Sequence, residues 1–340
     1  MPAAPLPLTP GRPTPLLHTR LVERLRAGHD SRATEKSHVG WIGRYVRFHA
    51  GRHPRDLTEP DVNQFLSHLA VDRHVAASTQ NQALSALLFL YGKVLGEPLG
   101  ELEDVLRARR PKRLPVVLTR EEARRVLTEL TGPHRTAGLL LYGAGLRLLE
   151  ALRLRVKDVD FDRGELTVRA GKGDKDRRTM LPEAAADGLR RQIDVARSLH
   201  EEDAARGFGT VELPSAFARN CPGAARDVRW RYVFPATQIS RDPRSGVRRR
   251  HHLHESTLSK AITAAARRSD IPKRVTAHVF RHSFATHLIE AGYDIRTVQE
   301  LLGHQDVRTT MVYTHVLNRG GRGVRSPADF DLPEAPPGSG

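Results

Sequence analysis

The chain has 340 residues, room for about two domains at the usual size, and its 39% hydrophobic content supports real cores, which excludes wholesale disorder. Lys and Arg total 55 against 39 Asp and Glu; 55 − 39 leaves +16, which favours a polyanionic partner, either nucleic acid or an anionic membrane surface. A single cysteine, Cys221, excludes intramolecular disulfides and cysteine zinc sites. No stretch of about 18 apolar residues is present to span a membrane, and no basic helix shows a Trp/Phe/Leu face to lie on one. The start, Met1-Pro2-Ala3-Ala4-Pro5-Leu6-Pro7, has neither the charged nor the apolar part of a signal peptide. The expected compartment is therefore the cytoplasm.

Residues 1–15 carry Pro2, Pro5, Pro7, Pro10, Pro13 and Pro15 and read as a flexible tail, as does 319–340. Residues 16–102 read as a small all-helical domain. One helix is expected from Leu17 through Leu25. Val39, Ile42 and Val46 recur at helical spacing in a second. Thr58 with Asp61 is a capping pattern ahead of the stripe Val62, Phe65, Leu66 and Leu69. Leu84, Leu87, Leu88, Tyr91 and Leu95 make a fourth stripe. Residues 103–117 place Arg107, Arg109, Arg110, Lys112 and Arg113 around Pro111 and Pro115. They read as an exposed linker, either a solvated connector or a segment that tracks phosphates.

A second domain is expected over 118–318. It opens with the capping box Thr119-x-x-Glu122 before Ala123, Val126, Leu127 and Leu130. Glu165 to Arg169 alternates as a strand, Gly171-Lys172-Gly173-Asp174 is turn chemistry, and Arg177 to Leu181 returns as a partner strand. A long segment, 182–256, follows, and beyond Thr257 the pattern is helical again. The fold class expected is mainly α with a small antiparallel β-sheet.

Thr276 to Gly292 reads as one helix. Phe280, Phe284, His287, Leu288 and Ala291 share a face, while His278, Arg281 and His282 point elsewhere. His278 and Arg281 are three apart in the first turn, where free N–H groups and the dipole attract anions. A bound phosphate and a solvated polar face both fit that pattern. Asp294 caps the next stripe, Ile295, Val298, Leu301 and Leu302, and Gly303 stops it. His304 follows, and Tyr313 stands nine residues later (313 − 304). Taken alone, Tyr313 is a packed helix residue or a nucleophile. Upstream, Arg147 and Glu150 are i, i+3, so the carboxylate can orient the guanidinium or form an ordinary surface pair.

Together and in this order, Arg147 within Gly-Leu-Arg, Lys172 within Gly-Lys-Gly, His278-x-x-Arg281, Leu302-Gly303-His304 and Tyr313 resemble the active-site set of the tyrosine recombinase (phage integrase) family. The motifs cover about residues 118–318, and the helical N-terminal segment is similar in character to the family's core-binding domain. The resemblance implies a two-domain DNA clamp, a homotetramer on two DNA sites, a 3′-phosphotyrosyl intermediate, and no metal, ATP or other cofactor. It gives Tyr313 the nucleophile's role, Arg147 and Arg281 the phosphate clamp, His278 the proton acceptor, His304 a phosphate contact and Lys172 the general acid, with Glu150 in support.

Within 182–256 lie Trp230-Arg231-Tyr232-Val233-Phe234-Pro235, Asp242-Pro243-Arg244-Ser245-Gly246 and His251-His252-Leu253-His254. This segment resembles the extra segment of integron integrases, which implies that it grips unpaired bases of folded single-stranded sites. Trp230, Pro243, His251 and His252 are the candidates, since aromatic faces stack on bases and Arg or His supplies charge and edges. Trp230 as a core aromatic, and the histidines as a metal site, are the other readings of these residues. A duplex-specific phage or Xer-like recombinase, a type IB topoisomerase-like enzyme and a non-catalytic DNA binder are the competing functions.

Overall fold

The four apolar stripes of the N-terminal segment fold as helices α1 (Pro15–Ala27), α2 (Arg32–Phe48), α3 (Glu59–Val71) and α4 (Ala77–Phe89), the last running into a π-helical turn, Leu90–Leu95. The structure, a computed structural model, describes residues 15–28, 30–100, 115–169 and 176–313. The expectations for both tails (save Pro15), for most of the basic linker and for Lys172 lie outside these residues.

The chain divides into two compact units, Met1–Arg113 and Leu114–Gly340. In the first, Pro15 opens α1, where its missing N–H costs nothing. Ser31 Oγ accepts from the Thr34 amide to start α2, and Asp61 accepts from the Thr58 amide at 2.8 Å to start α3. The four stripes meet in one core around Leu21, Ile42, Leu66 and Leu87. Inside it the hydroxyls of Tyr45 and Tyr91 pair at 2.9 Å, and Tyr91 also donates to the Pro54 carbonyl. Both buried phenols are thus satisfied.

The second unit begins at the expected capping box: Thr119 Oγ1 accepts from the Glu122 amide and Glu122 accepts from that of Thr119. Then come α5 (Arg120–Thr128), α6 (Gly132–Gly143) and α7 (Leu148–Leu152). A three-stranded antiparallel sheet follows, β1 (Val159–Asp160), β2 (Glu165–Val168) and β3 (Arg177–Met180), with Val168 opposite Arg177 and Glu165 opposite Met180. The alternation read from the sequence buries Leu166 and Val168. Next are α8 (Glu183–Ala205), α9 (Ser215–Asn220) and a hairpin of β4 (Pro235–Arg241) and β5 (Arg248–His252). The described residues end with α10 (Glu255–Arg268), α11 (Ala277–Glu290), α12 (Ile295–Leu302) and α13 (Val307–Met311). The described residues are thus mainly helical with small antiparallel sheets, as the sequence implies.

One expectation changes in detail. The sequence gives α11 an apolar face and a polar face, and the burial reaches past the apolar one: Arg281, Ser283, Thr286 and His287 are buried along with Phe280 and Phe284, while His282 is half-buried and His278 more open. Buried polar groups need partners, and most here have them. Ser283 Oγ accepts from the Leu118 amide, and His287 Nδ1 pairs with the Tyr142 hydroxyl at 2.8 Å.

The 182–256 segment is anchored by a buried ion pair. Arg250 on β5 meets Asp203 on α8 through two contacts of 2.8 Å, and its Nη1 donates to the carbonyls of Ala236 and Thr237. Removing one partner of such a pair strands the other charge. Asp203→Ala should therefore lower stability by about 3–5 kcal/mol in urea unfolding, whereas the apolar pair Asp203→Leu, Arg250→Met should lose much less. Equal losses in the two variants would contradict this role for the pair.

Candidate active site

Two glycines let the elements close on one point. Gly145 sits at φ +63° just before Arg147, and a Cβ there would lie 2.5 Å from the Phe284 ring. Gly303, the stop of α12, sits at φ +63°, and a Cβ there would lie 2.7 Å from Cδ of Arg177. Only glycine combines that backbone with that approach.

Arg147 is the N-cap of α7, and Glu150 lies in the helix's first turn. Glu150 accepts from the Arg147 amide at 2.8 Å and from its Nη1 at 2.6 Å. Arg177, at the start of β3, reaches the same carboxylate with two contacts, 3.0 and 2.6 Å, and donates Nε to the Leu301 carbonyl. Arg281 Nη1 is 3.7 Å from it. Three guanidiniums thus surround one carboxylate. Burial alone would raise the Glu150 pKa, but the hydrogen bonds and charge of Arg177 and the hydrogen bonds of Arg147 hold it down, at about 2. The pair read as a possible surface contact is instead the centre of a cluster, and Glu150 is only 9% exposed.

Arg281 is 1% exposed. Its Nη1 donates to the Gly145 carbonyl and its Nη2 to the Leu302 carbonyl, which ties the turn before α7 to the end of α12. Burial, then the neighbouring Arg147, lowers its pKa to about 9. Three charges minus one leaves two uncompensated positive charges among these four residues. An anion is the natural complement of such a group.

Tyr313 is 2% exposed and packs with Phe284, Ala285, Ile289, Val298 and Leu302. Its hydroxyl lies 2.6 Å from Nδ1 of His282, and the His282 ring meets that of His278 edge-on, centroids 4.0 Å apart. His304 Nδ1 pairs with the hydroxyl of the buried Thr310 at 2.9 Å. Burial, followed by positive neighbours, lowers the pKa of all three histidines, to about 4 for His282 and His304. Burial raises that of Tyr313, against the pull of Arg281 and Arg147. At neutral pH the cluster therefore holds neutral imidazoles and a neutral phenol.

Arg147, Glu150, His278, Arg281, His304 and Tyr313 are thus brought together. Two residues escaped the sequence reading. Arg177 looked like the first residue of a strand, and only pairing with β2 points it at Glu150. His282 was grouped with His278 and Arg281 by helical angle, but nothing local links it to a tyrosine 31 residues on (313 − 282).

A second cluster forms in the 182–256 segment. Trp230, 9% exposed, packs with Phe217 at 4.6 Å, beneath the Lys157 ammonium, 3.0 Å from its ring centre. Burial, then Arg169, lowers the Lys157 pKa to about 8. Arg155 bridges Trp230 and Tyr232, and Tyr232 meets His251 and His252 at 5.4 and 5.3 Å. His252 is buried with its pKa lowered to about 4, and His251 faces Glu212 at 3.7 Å. Pro243 is exposed at the tip of the β4–β5 hairpin, the end opposite His252, which pairs with Pro235. Among the described residues no group of three His, Cys, Asp or Glu is placed to hold a metal, and no helix is long and apolar enough to cross a membrane.

Residues 116–319 match the profile of the phage integrase family, and 17–101 match its N-terminal SAM-like domain. The chain belongs to the phage integrase family and is a site-specific tyrosine recombinase. This recombinase is 51% identical to an integrase/recombinase of Escherichia coli over 329 residues, 97% of each chain, and equally to one of Pseudomonas aeruginosa. It is 33% identical to the tyrosine recombinase XerA of Thermococcus kodakarensis over 288 residues, 83% of this chain and 84% of that one. In fold it resembles the Tn1549 transposon integrase in complex with transposon right end DNA: TM-score 0.58, 18% identity, 87% of this chain and 94% of the other.

The Glu150 cluster predicts a pH signature. Its pKa in the fold, about 2, lies below the ordinary value of 4.5. The stability it contributes is therefore complete above about pH 4.5 and is lost as pH falls toward about 2. Glu150→Gln should lack this component and should cost about 3–5 kcal/mol at pH 7, since the arginines lose their counter-charge. Unfolding curves with the same acid slope in both proteins would contradict it.

Proposed function

We propose that this recombinase integrates and excises integron gene cassettes, acting on folded single-stranded as well as duplex sites. The observation that carries the catalytic part is the gathering of Arg147, Arg177 and Arg281 on Glu150, with the Tyr313 hydroxyl held on the same helix as Arg281. A phosphodiester resists attack because it is anionic, and fixed positive groups stabilise the charge that grows in the transition state. Arg147 and Arg281 bind the non-bridging oxygens, and loss of either costs about 10²–10³ in rate. Tyr313 attacks phosphorus and forms a 3′-phosphotyrosyl link. His304 contacts the phosphate, and Lys172 protonates the leaving 5′-oxygen. The link conserves the energy of the phosphodiester bond, so a new 5′-hydroxyl reverses the step without ATP. The guanidiniums supply charge that a metal would otherwise bring. The helical and catalytic units both bind the DNA, and four protomers hold two sites, in the cytoplasm.

The integron assignment rests on the resemblance of the 182–256 segment and on its cluster of Trp230, Tyr232, His251 and His252, in which Trp230, Tyr232 and His252 are packed inward and His251 is the more open member. Pro243 offers a second contact at the hairpin tip. The other reading is a duplex-specific enzyme of the Xer kind; the relative in Thermococcus kodakarensis is the tyrosine recombinase XerA.

The test uses a labelled oligonucleotide that folds as a hairpin with extrahelical bases, and its fully paired counterpart, in the presence of chelator. Denatured wild type should show a covalent protein–DNA band with the hairpin, and Tyr313→Phe none. Trp230→Ala should lose the hairpin reaction while retaining the duplex one. A band in Tyr313→Phe would overturn the nucleophile. Equal loss on both substrates, or on neither, would leave the duplex-specific reading in place.

A further inference from the structure

We infer that His282 is a further catalytic residue, the group that takes the proton from Tyr313. This rests on the reading of Tyr313 as nucleophile and reassigns the proton that the family resemblance gives to His278. His282 is the imidazole in contact with the phenol: Nδ1 stands 2.6 Å from the Tyr313 oxygen, inside the range a general base needs. His278 meets the His282 ring instead, one helical turn away at 4.0 Å. The order is directional. Tyr313 is buried, His282 is half-buried and His278 is the most open of the three, so the rings lead from the phenol toward solvent. A proton delivered to His282 has a neighbour on its outward side.

The surroundings suit an acceptor that works only with substrate in place. The groups facing His282 are His278 and Arg281 on its own helix, His304 beyond α12 and Tyr313 beyond α13. Burial, then His278 and Arg281, keeps the ring neutral and free to accept. A phosphodiester seated on Arg147 and Arg281 brings negative charge beside them, and an anion nearby favours the imidazolium. Docking of DNA therefore raises the basicity of His282 at the moment the phenol must ionise. In the step itself the Tyr313 O–H proton passes to Nδ1 and the oxygen lone pair forms the O–P bond. The P–O5′ bond breaks with its electrons on the 5′-oxygen, which takes a proton from the acid assigned to Lys172. Reversal returns the proton from His282 to the phenol.

The test is single-turnover cleavage of a nicked suicide substrate across pH, with DNA binding measured alongside. His282→Asn is the decisive variant: its amide oxygen can occupy the place of Nδ1 and accept the phenol's hydrogen bond, but it takes up no proton. His282→Asn and His282→Ala should both bind DNA normally and cleave about 10²–10⁴-fold slower. Their rates should climb with pH as the phenol ionises unaided, where wild type levels off. Wild-type rates in His282→Asn would overturn the inference, because the contact then only positions Tyr313. Faster cleavage in either variant would overturn it too, because the bond then only parks the phenol. Tyr313→Phe separates the two claims: adducts in that variant would remove the nucleophile itself, whereas its inactivity together with active His282→Asn would remove only the base.

Discussion

The Glu150 carboxylate is the constraint on which the catalytic unit depends. It draws the N-cap of α7, the first residue of β3 and the N-terminal part of α11 to one point. Arg177 and Arg281 then pass the constraint on, since both donate to the last carbonyls of α12. Without the carboxylate, three like charges would lie together in a low-dielectric interior, where repulsion is strong. With it, the arginines are held in fixed orientation and still carry excess positive charge. Preorganised charge of this kind needs no rearrangement when an anion arrives.

The same positive field sets the chemistry of its neighbours. It works with burial to keep His278, His282 and His304 neutral, and it opposes burial at Tyr313, drawing the phenol back toward ionisation. On the proposed reading, a phosphodiester seated on the arginines would weaken the field at the histidines and so link substrate binding to proton acceptance through charge alone. The packing of Tyr313 among Phe284, Val298 and Leu302 fixes its ring by the apolar stripes of α11 and α12.

Much of this was legible in the sequence where the signal is local. Capping boxes at Thr58 and Thr119, the stop at Gly303 and the alternation of Leu166 and Val168 each follow from a few adjacent residues. The relation of His278 to Arg281 is of the same kind. What escaped depends on pairing across long separations. Arg177 reaches Glu150 only because β3 pairs with β2, and His282 reaches Tyr313 only because α12 and α13 fold back on α11. The second face of α11 was read as polar because its residues are polar. The structure buries Arg281 and Ser283 from it because the carbonyls of Gly145 and Leu302 and the amide of Leu118 supply what those side chains need.

The central claim is that this arginine-lined site delivers a DNA phosphate to Tyr313. The most direct measurement is to digest the covalent protein–DNA adduct with trypsin and locate the nucleotide by mass spectrometry. The account predicts that it sits on the peptide running from Thr309 to Arg319, at Tyr313. A nucleotide on any other residue would contradict it.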